Sequence, residues 1–395
     1  MSNGLRDLDK NDKLSKIFSY LVVYYWILMY IKMPSYVLLT LPIGLFIGYM
    51  LLIYIKDFTL SNGIPMILLF IIFAVYLSLI RLDMTSLIAV ALFGLTIFMI
   101  MHFRLRLSLK LINTLFFISV LLSIPLYYSG YGYYGFLPGQ GGYHHNAALS
   151  GRVSMFPNVT ISIYFSFIVV FINYSFAKHS YEKIFIFIFS LYFIYFGISR
   201  TIMIVLLLIL IFSLLLKVYP LKKNWFYQFF LPIVLIFLPI VFVAVIEDII
   251  EYLLSLNNEF ISEYFFRGFT SVEKILDDIA RTNIWTEHIR LFKEHPWGLS
   301  TSEIDLYSII YLSDGGSESF LTRILVRFGF SAFFFYLFIF SLLKSALDDR
   351  DNYLYIFTYI FIFIGVNYGS FFAAYNMLFL ILMSSINNKY AIEKE

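Results

Sequence analysis

Apolar residues run through this chain in long blocks, and the polar residues are swept into the gaps between them. A hydrocarbon core about 30 Å thick needs roughly 20 apolar residues per helix. On that measure the pattern predicts twelve membrane spans, at 17–31, 35–55, 63–80, 85–102, 111–128, 157–176, 184–198, 201–216, 226–246, 320–343, 352–366 and 371–386. Two apolar stretches, 184–216 and 352–386, are too long for one crossing and short for two. Each is interrupted in the middle, by Gly197-Ile198-Ser199-Arg200 and by Asn367-Tyr368-Gly369-Ser370. Flanking charge decides the first. Two spans put Lys178, Lys183, Lys217, Lys222 and Lys223 on one side of the membrane, as the bias of cationic residues toward cytoplasmic loops prefers. Both stretches therefore read as tight hairpins, with Arg200 at or slightly below the outer surface.

The expected fold is an all-α polytopic membrane protein of about twelve transmembrane helices, one multi-span domain over 1–395 with both termini cytoplasmic. Two longer segments, 129–156 and 247–319, form a cap on the outer side. The first continues a run rich in Tyr and Gly, Tyr127 to Tyr143. In the second, Val272, Ile275, Leu276 and Ile279 recur at helical spacing, and Trp285, Ile289 and Phe292 extend the stripe. Pro296 and Gly298 end it, because Pro lacks a donor and clashes within a helix. This helix is expected to lie along the membrane surface on its apolar stripe, with Arg281, His288 and Arg290 on its polar face. No internal repeat is visible, which counts against a secondary transporter. No small-residue cleavage site follows the first apolar run, which reads as a retained anchor.

Charge sharpens the picture. The inner segments carry thirteen Lys and four Arg, the outer ones three Lys and eight Arg. Lysine on the inner side needs no explanation beyond orientation. Arginine on the outer side does. Arg152, Arg200, Arg323 and Arg327 converge on one leaflet, where a cation near hydrocarbon is expensive and usually faces a polar cavity. Planar, bidentate donors suit phosphate or carboxylate groups on a substrate. The long outer loop nevertheless holds fourteen acidic residues against five basic ones, which argues against bulk capture of a polyanion. It suits selective arginine contacts among acids that bind sugar hydroxyls or act as a base. Glu318, beside the Arg323 helix, is one candidate general base. His295, at the end of the amphipathic helix, is another, weighed against a capping role. His144 and His145 are adjacent, so their side chains diverge and make weak metal ligands. No HExxH, phosphate-binding loop or serine nucleophile elbow is present. The absence of cysteine excludes disulfides and thiolate sites. The chemistry is therefore expected to use a preactivated substrate, with no cofactor, no metal and no nucleic acid.

In order along the chain stand Gly151-Arg152 running into Phe156-Pro157-Asn158, then Ser199-Arg200 at a turn, then Arg281-Thr282-Asn283-Ile284-Trp285 leading to His295-Pro296-Trp297-Gly298. Ser317-Glu318-Ser319-Phe320 through Arg327-Phe328-Gly329-Phe330 completes the set. From about 150 to 340 this set resembles the bacterial O-antigen polymerase (Wzy) family, within the wider polymerase/ligase superfamily. The resemblance implies a glycosyltransferase C-like membrane fold in the bacterial inner membrane. It also implies metal-independent transfer of a glycan from undecaprenyl diphosphate to an acceptor sugar on another lipid-linked repeat unit. Donor and acceptor glycans, membrane lipid and a chain-length regulator protein are the partners it implies. On this reading Arg152, Arg200 and Arg281 stabilise the diphosphate leaving group, with Arg290, Arg323 and Arg327 binding substrate and Glu318 or His295 as base. Ligases of the superfamily carry a His-Asn pair where this chain has Ser317-Glu318-Ser319, which favours polymerase and leaves the base open. A ligase passing the glycan to lipid A core is the nearest alternative. A flippase is the alternative of another class, opposed by spans nearly free of charge at mid-depth.

Overall fold

The computed structural model describes residues 2–30, 36–54, 64–103, 105–129, 153–156, 159–176, 180–197, 200–218, 225–230, 248–258, 261, 271–272, 281–310, 319–348 and 350–367. Among them there is no β-strand. The helices are α1 (Ser2–Leu28), α2 (Tyr36–Tyr54), α3 (Ile64–Ile80), α4 (Met84–His102), α5 (Leu109–Tyr128), α6 (Val159–Phe176), α7 (Ser180–Phe196) and α8 (Arg200–Val218). After them come α9 (Arg281–Glu294), α10 (Thr301–Ile310), α11 (Phe320–Phe328), α12 (Ala332–Asp348) and α13 (Asn352–Asn367). Among the described residues, three stretches are long and apolar enough to cross a membrane: Met84–His102, Leu109–Tyr128 and Phe320–Asp348. Shorter apolar helices such as Pro65–Ile80, Ile161–Asn173 and Lys183–Phe196 accompany them. Most of the expected span 226–246 and all of 371–386 lie outside the described residues.

The surfaces of these helices are apolar on both sides. Phe333, Leu337 and Phe340 form an exposed stripe on α12, and Ile72, Tyr76, Leu79 and Ile80 do the same on α3. Such faces would associate in water and are at home in lipid. Inward, α3, α4, α11 and α12 meet through phenylalanine. Phe70 contacts Phe328 edge-on and lies against Phe335, while Phe320 touches Phe93, Phe335 and Phe361. Two pairs of polar side chains buried in the bundle satisfy each other across helices, as a medium without water favours. Asn113 on α5 and Asn173 on α6 form a reciprocal amide pair at 3.0 and 2.7 Å. Trp26 Nε1 on α1 donates to Ser119 Oγ on α5 at 2.8 Å.

Two helix hairpins use the same turn. After α3, Leu82 sits at φ 55°, its N–H donates to Leu79 O, and the Asp83 N–H reaches back to Ser78 O. That is a Schellman closure, which a left-handed residue makes accessible. Asp83 then caps α4 by accepting from Ser86 N. After α12, Arg350 at φ 53° and the bond from Asp351 N to Ala346 O repeat the closure, and Asp351 caps α13 at Tyr353 N and Leu354 N. The break expected within 184–216 is also present: α7 ends at Phe196 and α8 begins at Arg200. The stretch expected as one span from 320 is jointed, since a 3₁₀ turn at Gly329–Ser331 separates α11 from α12.

Candidate functional site

The functional geometry begins at two short sequences far apart in the chain. His295-Pro296-Trp297-Gly298 leaves α9, and Arg327-Phe328-Gly329-Phe330 leaves α11. They interlock. Phe330 N donates to Pro296 O at 3.0 Å, and Leu299 N donates to Val326 O at 2.8 Å. Gly298 has φ 88° and Gly329 φ 53°, and each lacks room for a Cβ because it would strike the backbone of the other segment. Trp297 and Phe292 close over Phe330 edge-on from the exposed side.

This docking delivers the start of α10. Ser300 caps it and Glu303 answers, accepting from both Ser300 N and Ser300 Oγ at 2.6 Å, a reciprocal capping box. A second carboxylate arrives from the membrane hairpin. Asp83 accepts from Thr301 N at 2.8 Å and from Thr301 Oγ1 at 3.1 Å, besides Ser86 N and Ser86 Oγ. One carboxylate thus terminates two helices, α4 and α10. Burial pushes the Asp83 carboxyl up, but these hydrogen bonds outweigh it and hold the group below its ordinary value of 3.8. Glu303 is lowered in the same way, burial being outweighed by the Ser300 bonds and then by the nearby Arg81 and His295.

Arg327 is 3 % exposed. Its Nη2 donates to Thr301 Oγ1 at 2.9 Å, and its backbone oxygen accepts from Arg81 Nη1 at 2.8 Å. Arg81 also donates from Nε to Leu77 O, and burial lowers its guanidinium despite Asp83 and Glu303 nearby. Arg323 lies one turn before Arg327, and its Nε is buried with no hydrogen-bond acceptor among the described residues. Arg81 and Arg327 therefore converge on the first turn of α10 and the end of α11, with Arg323 one turn earlier on α11.

Residues 185–337 match a family model described as O-antigen ligase. The similarity supports a role in assembling O-antigen or a related surface glycan within the polymerase/ligase superfamily, and does not separate polymerase from ligase. No curated protein matches the chain. The stretch similar to that family runs from α7 into α12, so it contains the interlocked His295–Gly298 and Arg327–Phe330 segments and ends six residues past the 3₁₀ turn. Arg81 and Asp83 fall outside it.

The expected site residues distribute as follows. Arg200 and Arg281 are the first residues of α8 and α9. Arg152 and Glu318 lie outside the described residues. His295 bonds through Nε2 to Tyr307 OH on α10 at 2.7 Å. Arg290 is exposed and engaged along its own helix, bidentate to Glu287 at 2.6 and 2.9 Å and bonded to Glu294 at 2.5 Å. The Glu287 and Glu294 bonds raise its guanidinium above the ordinary arginine value. The orientation expected for α9 needs a correction. His288, placed on the polar face, is fully buried, with Nδ1 2.7 Å from Thr322 Oγ1, which in turn donates to Ser319 Oγ at 2.6 Å. Ile289, expected on the stripe that faces the membrane, is 44 % exposed. A hydroxyl on α11 gives the imidazole a partner, and that bond sets which side of α9 turns inward. Sequence reasoning counted Arg81 among the outer arginines but missed it, Asp83 and Thr301 as site residues. The Ser300-x-x-Glu303 spacing was a readable capping signal for α10.

Proposed function

We propose that this protein is a metal-independent glycosyltransferase that polymerises undecaprenyl diphosphate-linked oligosaccharide units into O-antigen or a related surface polysaccharide at the outer face of the bacterial inner membrane. The observation that carries this reading is a coincidence. The stretch similar to the O-antigen ligase family contains the interlocked loop, and that loop docks at the end of α11, which carries Arg323 and Arg327 at the start of the jointed, membrane-length stretch Phe320–Asp348. In the reaction the bond from the anomeric carbon to the diphosphate breaks, and a bond to the acceptor hydroxyl forms. The hydroxyl proton passes to a base, and the diphosphate leaves with added negative charge. Donors fixed where that charge develops bind the transition state more tightly than the ground state. Arg152, Arg200 and Arg281 are assigned to the leaving group, with Arg323, Arg327 and Arg290 binding substrate. His295 or Glu318 takes the proton. The lipid tail accounts for a site at membrane depth.

A ligase that passes the glycan to lipid A core is the second reading, favoured by the description of the matching family. A flippase is less favoured, because the polar residues buried among the spans are mostly Ser, Thr and Asn, and the buried charges Asp83 and Arg327 sit at helix ends. The deciding experiment gives purified protein in detergent a synthetic undecaprenyl diphosphate-linked repeat unit with EDTA, and resolves products on a gel. A ladder is expected. Transfer only to an added lipid A core acceptor assigns a ligase, and a ladder that needs divalent metal removes metal independence.

A further inference from the structure

We infer that Thr301 and Asp83 are positioning residues for Arg327, which makes the α3–α4 turn a working part of the site although it lies outside the family-like stretch. The inference rests on the glycosyl transfer proposed above. Four residues form a closed circuit. Arg81 Nη1 holds the Arg327 backbone oxygen, Arg327 Nη2 reaches Thr301 Oγ1, and Thr301 donates to Asp83, two residues from Arg81. Arg327 is gripped by backbone and side chain at once, and both grips lead to the same turn.

Helix capping explains part of this. The bonds from Thr301 N and Ser86 N to Asp83 satisfy the exposed donors at two helix starts. Capping does not require the Thr301 hydroxyl, which stands at the first helical position. That hydroxyl has one proton and gives it to Asp83, so its lone pair faces Arg327. The carboxylate charge is thereby relayed to the guanidinium through a neutral group. Asp83 orients the arginine while a hydroxyl, not a carboxylate, occupies Nη2. A long side chain fixed in advance loses less freedom when an anionic oxygen arrives.

The test uses the full chain in detergent with the lipid-linked repeat unit. Thr301→Val keeps the backbone bond to Asp83 and removes only the hydroxyl. We expect kcat/KM to fall roughly 10-fold, mainly through a higher KM because Arg327 binds substrate, the size of one lost bond to a charged group. The unfolding midpoint should fall by no more than the loss of one hydrogen bond accounts for, and Thr301→Ser should restore both it and activity. Arg327→Lys should lower activity as well, and the double variant should be no worse than Arg327→Lys alone, because both changes cut one link. Effects that multiply, unchanged activity in Thr301→Val, or a loss that follows thermal stability and is not rescued by Ser overturn the inference. If the wild type transfers no glycan, the proposed function fails by itself. Binding of undecaprenyl diphosphate alone then decides: a roughly 10-fold weakening in Thr301→Val upholds the positioning role, and unchanged binding ends it.

Discussion

Gly298 and Gly329 meet backbone to backbone, each at positive φ and each filling the space a side chain would need on the other's segment. Alanine at either position faces two separate costs, a left-handed backbone and an overpacked contact with carbonyl groups. We expect Gly298→Ala and Gly329→Ala each to destabilise the folded protein by roughly 2–4 kcal/mol. Thermal unfolding in detergent measures this. A midpoint equal to wild type in either variant would show that the two segments need not touch.

Leu82 gives the opposite case. It adopts φ 55° to close α3 and is 81 % exposed, so its side chain contributes little packing. Leu82→Gly removes the steric cost of a left-handed residue and adds back some chain entropy in the unfolded state. The balance is a gain of roughly 0.5–1 kcal/mol. The unfolding midpoint should rise by a degree or two, and a fall would mean that the leucine packs on something beyond the described residues.

Acid should loosen the α3–α4 and α10 junction. Asp83 and Glu303 both hold their protons less readily when folded than when unfolded. Their contribution to stability is complete above the ordinary carboxylate range, and it is lost as pH falls through that range toward the folded values. The midpoint should be level from neutral pH down to about 5 and drop below about 4. Asp83→Asn should start lower at neutral pH and fall less on acidification. A wild-type midpoint that does not fall in acid contradicts the capping role.

Arg152, Arg200 and Arg281 are assigned to the leaving diphosphate. Changing any of them to Gln or Ala should abolish polymer while the protein still inserts, a loss of roughly 100-fold or more if each donates to the developing charge. Lys should restore only part of the activity, because it keeps the charge without the planar fork. Full activity of Arg281→Ala at normal expression would take that residue out of the site.

The parts of the fold legible in the sequence are those set by neighbouring residues. The break before Arg200 followed from five lysines that needed one side, and the end of α9 at Glu294 followed from Pro296 and Gly298. The rotation of α9 did not follow. In a protein whose outer surface is lipid, an apolar residue such as Ile289 faces either way at little cost, and the partner that turned His288 inward stands on another helix. The joint at Gly329 was hidden for a related reason, since a glycine before an apolar run signals nothing until the segment it must pack against is known. Arg81 and Asp83 look like an ordinary two-span turn. Their partners Arg327 and Thr301 are 246 and 218 positions away, and no local pattern marks a contact of that length.

That separation has a consequence in time. The carboxylate of Asp83 begins life with one helix to close and finishes with two, the second start being made 218 residues later. At synthesis rates of about 5–20 residues per second, the hairpin waits roughly 10–45 s with half of its acceptor capacity turned to water or to headgroups. The early membrane half of the protein therefore acts as a mould held open in advance, and the late loop is shaped by what was inserted first.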